Sequence, residues 1–296
     1  MRSLNSAIAL LKLNPWARAQ ESSSIAAAKQ LVRARRLATE LRVTQGHQVW
    51  NRWALAMLAL RSRIEHDPAS LQAWHEIAIA DFAGQIFRER CVFAEFVFPG
   101  AVDFSGARFT VDAWYNAARF TDAADFSGAV FDCDGFFENA EFSRPASFDR
   151  ARWSRDAQFR MSKFRDRTSF RDSRFERDAW FVGTQFQGEL SFAAAQIVGE
   201  AGLDSCCYGG PTEFSRTRFC GNAGFEQARF IGPVRFDDAC FERNARFNRA
   251  SFEGQVSFKR TRFLVMSDFA NALFGSTPAG VETIAALNQR FIERDK

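Results

Sequence analysis

Large apolar residues recur along this chain with a fixed spacing. They stand at Phe82, Phe87, Phe93 and Phe98 and then at every twenty-second residue from each of these, which gives 36 positions ending at Phe274. The steps between them therefore alternate between five and six residues. Such steps would scatter the apolar positions around a 3.6-residue helix, so the pattern excludes a helix over this region.

A small residue stands two positions before most of these large ones, as in Ala107, Ala118, Ala129 and Ala151. Because side chains alternate along an extended segment, the small and the large residue point to the same side. Asp, Glu, Arg, Ser, Asn and Gly fill the intervening positions, which suits outward positions and turns. The pattern predicts short strands that face one shared core.

This unit resembles the pentapeptide-repeat family, which has Leu or Phe at the centre and Ala two residues earlier, as in Ala107-Arg108-Phe109 and Ala129-Val130-Phe131. The resemblance implies a mainly β fold: a right-handed, four-sided β-solenoid with one repeat on each side. The 36 sides would make about nine coils of about 22 residues, somewhat longer than the family's usual coil. A coil of about 11 residues is the alternative, but two inward Phe would overpack it.

The flanks divide the chain into three parts: residues 1–80, the solenoid at 81–274, and residues 275–296. Asn14-Pro15, Gly46 and Asp67-Pro68 punctuate the first part, which we expect to form helices that cap the rod or contact a partner. After Gly275 we expect a turn and a short capping helix, and a dimer through that helix is left open. The apolar side of this helix would carry Val281, Ile284, Leu287 and Phe291.

Charge is unevenly distributed along the chain. Residues 1–81 carry 11 Lys+Arg against 6 Asp+Glu, whereas residues 82–274 carry 25 against 26. Within the repeats, residues 82–142 are acidic, with 4 against 10, and residues 143–180 are basic, with 11 against 6. Some relatives in the family bind type II topoisomerases by imitating DNA, which requires a strongly acidic rod, so that activity is only a further alternative here.

The sequence contains no recognisable catalytic or cofactor site. His47, His66 and His75 all precede the solenoid, so repeat residues alone cannot build a Ser-His or Cys-His pair. The six Cys contain no Cys-x-x-Cys motif, and we expect Cys91 and Cys206 at interior positions. Acid pairs at Asp132 and Asp134, and at Asp237 and Asp238, are expected on a convex, solvated surface. We therefore predict no enzyme activity, no metal and no cofactor.

The targeting signals are weak. Ala17-Arg18-Ala19 imitates a signal-peptidase site, but Lys12 interrupts the apolar run before it, so we expect a cytoplasmic protein. No run of residues reaches the length of a spanning helix.

Two columns of outward residues are the candidate partner-binding sites. Read at every twenty-second position, one column contains five arginines: Arg108, Arg152, Arg174, Arg218 and Arg262. These are either paired with neighbouring acids or available for a phosphate-bearing or acidic partner. The second column contains Trp114, Phe136 and Trp180, which we expect the N-terminal helices to cover; the alternative is a partner-binding face.

Two hypotheses for function follow. The first is a non-enzymatic scaffold that presents a rigid rod to a macromolecular partner, most simply a protein, while nucleic acid is disfavoured by the neutral rod. The second is peripheral attachment to a membrane through the basic helices. That surface would use Arg33, Arg35, Arg36 and Arg42 with Leu31, Leu37 and Leu41.

Overall fold

The computed structural model describes residues 24 to 280, and side chains from Ala34 onward except that of Cys91. Three helices come first: α1 at Ser24–Val43, α2 at His47–Ile64 and α3 at Pro68–Ala78. Gly46, at a positive φ of 82°, makes the turn between α1 and α2, and Pro68 occupies the first position of α3, where its missing N–H costs nothing. No helix in this part of the chain is long and apolar enough to cross a membrane.

Thirty-six strands of two residues each, β1 to β36, follow between Ala80 and Phe274. Every fourth strand joins the same sheet, which gives four parallel sheets of nine strands. Each strand residue pairs with the residue one coil further on, as in Arg108 with Val130 and Val130 with Arg152. The predicted solenoid of about nine coils is therefore confirmed together with its coil length, and the shorter alternative coil is excluded.

The strands of each sheet are as follows. Sheet 1 contains Ala80–Asp81, Val102–Asp103, Ala124–Asp125, Ala146–Ser147, Thr168–Ser169, Leu190–Ser191, Thr212–Glu213, Val234–Arg235 and Val256–Ser257. Sheet 2 contains Ile86–Phe87, Arg108–Phe109, Val130–Phe131, Arg152–Trp153, Arg174–Phe175, Gln196–Ile197, Arg218–Phe219, Cys240–Phe241 and Arg262–Phe263. Sheet 3 contains Cys91–Val92, Ala113–Trp114, Gly135–Phe136, Ala157–Gln158, Ala179–Trp180, Ala201–Gly202, Ala223–Gly224, Ala245–Arg246 and Ser267–Asp268. Sheet 4 contains Val97–Phe98, Arg119–Phe120, Glu141–Phe142, Lys163–Phe164, Gln185–Phe186, Cys207–Tyr208, Arg229–Phe230, Ser251–Phe252 and Leu273–Phe274.

The core consists of rings stacked from coil to coil. Phe82 stacks on Phe104 at 4.6 Å between centroids, and Phe104 stacks on Phe126 at 4.8 Å. All of the 36 large positions are buried except the last three, Phe263, Phe269 and Phe274, which are half-buried in the final coil. Burying one such side chain contributes about 1.5 to 3 kcal/mol, so this column of rings dominates the stability of the rod.

Two kinds of corner alternate and account for the alternating steps. Each five-residue step begins with a turn. The residue two positions after the inward ring has a positive φ in this turn, as in Gly106 at 61° and Ala117 at 54°. A backbone hydrogen bond closes this turn, with the amide of Ala107 donating to the carbonyl of Phe104 at 3.0 Å. Each six-residue step lacks this positive-φ residue. The longer coil thus has regular corners.

Helix α2 closes the sheet 4 edge of the first coil. The Trp50 indole Nε1 donates to the carbonyl of Val97 at 2.8 Å, and the Asn51 side chain accepts from the amide of Val97 at 2.9 Å and donates to the carbonyl of Glu95 at 2.8 Å. Phe96, which takes a position held by Ala in the next coils, packs under Trp50 at 5.6 Å. Helix α1 packs on β1 of sheet 1. The predicted N-terminal helices are confirmed, while the predicted C-terminal helix and its dimer contact lie outside the described residues.

Candidate interaction surfaces

The five arginines of the first column lie on sheet 2 in the register that the coil spacing predicts. Arg108 donates to Asp132 at 2.8 Å, and Arg152 donates to Glu176 at 2.7 Å. Arg218 pairs with Glu242 in the same way. In each pair the carboxylate belongs to the next coil, two residues beyond the arginine's column, so these guanidinium groups bridge consecutive coils.

Arg174 is held in the most extensive of these contacts. Its Nε and Nη2 donate to the two oxygens of Glu176 at 2.6 and 2.9 Å, and it also donates to Gln196. These hydrogen bonds raise the pKa of Arg174 and lower the pKa of Glu176. Exposed Arg262 has no carboxylate partner within residues 34 to 280, where side chains are described. Most of the arginine column is therefore engaged within the rod.

The aromatic column lies on sheet 3, also in the predicted register. Trp114 and Phe136 stack at 4.2 Å, which fixes the two rings against each other. Arg90 lies over the Trp114 ring at 5.1 Å, and Arg160 lies over the Trp180 ring at 4.9 Å. The three rings remain half-buried, so they form an apolar surface of fixed geometry.

The N-terminal helices do not lie along this column. Their contacts fall mainly on strands β1 and β4 of the first coil and on Asp122, where Arg61 approaches to 3.5 Å. The prediction that these helices cover Trp114, Phe136 and Trp180 is therefore wrong for helices α1 to α3. The rings are instead covered in part by one another and by the two arginines that lie over them.

A column of acids borders the aromatic column, and the sequence reading missed it. Its members are Asp112, Asp134, Asp156, Asp178 and Glu200. From Asp112 to Asp178, one carboxylate oxygen accepts the backbone amide of the equivalent residue in the next coil, as in Asp156 N to Asp134 at 2.9 Å. These acids therefore stabilise the corner between sheets 2 and 3. Counting coil by coil from two positions before each outward aromatic residue would have found them.

The family model described as pentapeptide repeats (9 copies) matches residues 148–196 and 209–251, in the middle of the solenoid. The chain carries pentapeptide repeats. The comparison with curated proteins and the comparison with solved structures gave no match. Pentapeptide-repeat solenoids are generally non-catalytic structural or interaction proteins.

Several acidic side chains of these repeats are held in structural contacts. Within the described part of the chain, no group of three or more His, Cys, Asp or Glu side chains is placed to hold a metal ion. Asp237 is buried and accepts from Ser257 at 2.5 Å and from Arg235 at 3.0 Å, whereas Asp238 pairs with Arg260 at 2.6 Å. The expectation that both acids are solvated is therefore wrong for Asp237.

The histidines and the interior cysteine have similarly simple surroundings. His47 lies 6.4 Å from the Phe96 ring, His75 lies 3.9 Å from Asp122, and His66 is exposed beside its neighbour in sequence. Cys206 is fully buried, as predicted, and burial raises the pKa of its thiol to about 12. A thiol with such a pKa is almost entirely protonated at neutral pH and is a poor nucleophile.

Proposed function

We propose that this chain is a non-enzymatic protein-binding scaffold, in which the rod presents sheet 3 to a partner. The observation that supports this proposal best is the half-exposed ring pair Trp114 and Phe136, stacked at 4.2 Å on a rigid coil. Aromatic side chains are enriched in protein interfaces, and rings that are already fixed lose little conformational entropy on binding. The rod acts by placing such side chains at set distances.

From the family resemblance we also propose the finer geometry, in which the four sheets enclose a four-sided solenoid of right-handed sense. A four-sided cross-section would turn the arginine column and the aromatic column toward neighbouring sides. A partner large enough to span one corner would then contact both columns. An experimental density map of the rod would show its hand directly.

The test compares capture by two forms of the full chain. Wild type and a Trp114→Ser/Phe136→Ser variant are immobilised, exposed to extract of the native host and analysed by quantitative mass spectrometry. We expect at least one protein to be depleted by about tenfold or more on the variant, as for the loss of interface hot spots. A control variant on another side of the rod, Ile231→Ser, changes an exposed apolar residue directly after the sheet 4 strand Arg229–Phe230 and should capture the same set as wild type. Identical capture by all three forms would reject sheet 3 as the binding face.

A second function is favoured by one observation on helix α1. Leu37 and Leu41, one turn apart, are 56% and 57% exposed, and the side chain of Arg36 beside them is itself 46% exposed. Such a surface suits the interface of an anionic membrane, where apolar side chains insert and cations face the head groups. Of the other residues of this predicted surface, Arg33 and Leu31 lie outside the described side chains, and Arg35 and Arg42 are half-buried. Arg42 lies over the Trp53 ring at 4.4 Å and is therefore not part of an exposed basic surface.

Liposome sedimentation of the full chain tests this second function. Vesicles of phosphatidylcholine with phosphatidylserine should bring down wild type, whereas a Leu37→Ser/Leu41→Ser variant should stay in the supernatant. Vesicles of phosphatidylcholine alone provide the control for charge. Equal sedimentation of wild type and variant would remove α1 as a membrane-binding element.

A further inference from the structure

The ring pair on sheet 3 has carboxylates on both sides. In the second and third coils, Asp112 and Asp134 stand two residues before Trp114 and Phe136, and Glu138 stands two residues after Phe136. The pairing register aligns these residues coil on coil. We call these five residues the acidic-aromatic face. It lies in the part of the rod, residues 82–142, that carries 4 Lys+Arg against 10 Asp+Glu.

The carboxylates of this face are held in place by the backbone or by a neighbour. Asp112 Oδ1 accepts the amide of Asp134 at 3.2 Å, and Asp134 Oδ1 accepts the amide of Asp156 at 2.9 Å. Within the described part of the chain, no hydrogen bond reaches Oδ2 of Asp112 or Asp134, and Arg155 Nε approaches Asp134 Oδ1 to 3.8 Å. Glu138 accepts from the Asn116 side chain at 3.0 Å. The face therefore presents oriented acceptors beside fixed rings, with little ordering left to occur on binding.

The rod already binds guanidinium groups of its own on this sheet. Arg160 lies over the Trp180 ring at 4.9 Å, donates to Gln158 at 2.6 Å and approaches Glu138 to 3.7 Å. Arg90 lies over Trp114 at 5.1 Å from the preceding coil. Ring, acceptor and carboxylate together recognise arginine, because its planar cation both stacks and donates.

We propose that the acidic-aromatic face binds an arginine-bearing, basic segment of a partner protein. This inference rests on the scaffold function proposed above and specifies the chemistry of its partner. Charge complementarity supports it, since Asp112 forms no ion pair within the described residues and the arginines of a partner would extend the arrangement that Arg160 shows within the chain beside Glu138.

The test uses the full chain and fluorescein-labelled peptides of alternating arginine and serine, followed by fluorescence anisotropy at low and high ionic strength. The site variant is Asp112→Asn/Asp134→Asn. Asn keeps the oxygen that accepts the backbone amide, and this column itself contains Asn222 and Asn244 in later coils. The variant should therefore fold as wild type does while it loses two charges.

A matched control lies in the same coils on sheet 1. Asp103→Asn/Asp125→Asn makes the same charge change, and Asn can again accept the amides that Asp103 and Asp125 hold at 2.8 Å. We expect the site variant to weaken peptide binding by about tenfold and the control by less than about twofold, because close charges dominate at moderate salt. Replacing arginine with lysine in the peptide should also weaken binding, since lysine stacks less well on a ring.

Two results would overturn the proposal. Equal weakening by the site variant and the control would show that only long-range charge attracts the peptide, and no binding to wild type would exclude the proposed partner chemistry. Failure here can be told apart from failure of the scaffold function. If Trp114→Ser/Phe136→Ser still changes capture from host extract while no arginine peptide binds, sheet 3 binds a partner of different chemistry.

Discussion

Trp153 and Gly135 form a size-matched pair that can be tested as a unit. Trp153 is the only Trp among the 36 inward large positions, and it stacks between Phe131 at 5.2 Å and Phe175 at 4.4 Å. Gly135 is the only Gly among the inward small positions. A Cβ at Gly135 would lie 3.1 Å from the indole Nε1 of Trp153. The missing methyl group therefore leaves the space that the larger ring occupies.

The expected free energies of unfolding follow from this contact. Gly135→Ala in wild type gains about 0.5 to 1 kcal/mol from reduced freedom of the unfolded chain but costs about 1 to 3 kcal/mol in overpacking. Trp153→Phe alone loses buried carbon atoms, which lowers the free energy of unfolding. It also removes a buried N–H that has no partner within the described residues, and this relieves a cost of about 1 to 3 kcal/mol, so the net change in the free energy of unfolding is small. In the double variant the methyl group fills the vacated space.

We therefore expect a coupling free energy of about 2 kcal/mol in favour of the double variant. Urea unfolding followed by circular dichroism gives the four free energies of the cycle, provided that the denaturant slope stays constant. A control cycle combines Trp153→Phe with Ala245→Gly, at the same small position five coils further on, and should be additive. If the Gly135 and Trp153 changes also add within about 0.5 kcal/mol, the two residues are not matched in size.

Four further predictions concern the core, the surface and the corners. Phe159→Asp should abolish cooperative unfolding or soluble expression, since it buries an unpaired charge, and an unchanged melting transition would contradict its buried position. Arg174→Ser should cost less than about 1 kcal/mol because its ion pair is 42% exposed on the arginine side, and a loss above about 2 kcal/mol would show a structural role. Cys206 should resist iodoacetamide in the folded protein, while half-buried Cys207 reacts. Because burial raises the pKa of the Cys206 thiol from 9.0 to about 12, its contribution to the free energy of unfolding is present below about pH 9 and is lost as the pH rises toward about 12. Ala117→Gly should raise the unfolding free energy by up to about 1 kcal/mol, because φ is 54° there, and a decrease would reject this explanation.

Most of the solenoid could be predicted because its contacts follow from simple counting. Residues that pair are always one coil apart, so linear spacing is also spatial adjacency, and the columns containing Arg108 and Trp114 could be read directly. The acidic column at Asp112 obeys the same spacing and lies two residues before the aromatic column, but nothing in the sequence indicates that its carboxylates accept backbone amides of the next coil. The ion pairs between coils, such as Arg108 with Asp132, depend on rotamers that spacing leaves open.

The position of the helices could not be derived in this way. Their docking depends on a few particular contacts, above all those of Trp50 and Asn51 with Val97, and no periodic pattern in the sequence predicts these contacts. One signal was present in the sequence: Phe96 stands where the next coils have Ala, which suggests that something packs on the first coil at that point. The corner conformations also escaped prediction, because most of the positive-φ positions are not Gly.

The constant offset between paired residues has a consequence for how such a chain can change length. Inserting or removing one residue would shift every later ring out of its stack, whereas duplicating a whole coil of 22 residues would lengthen the rod and leave the coils on both sides in register. Outward residues such as Arg108 and Trp114 occupy positions separate from the stacked rings, so the surface residues of each coil can change without a change in the core. The length of the rod and its surface residues can therefore vary independently, and the position of any contact surface is given by its coil and its sheet.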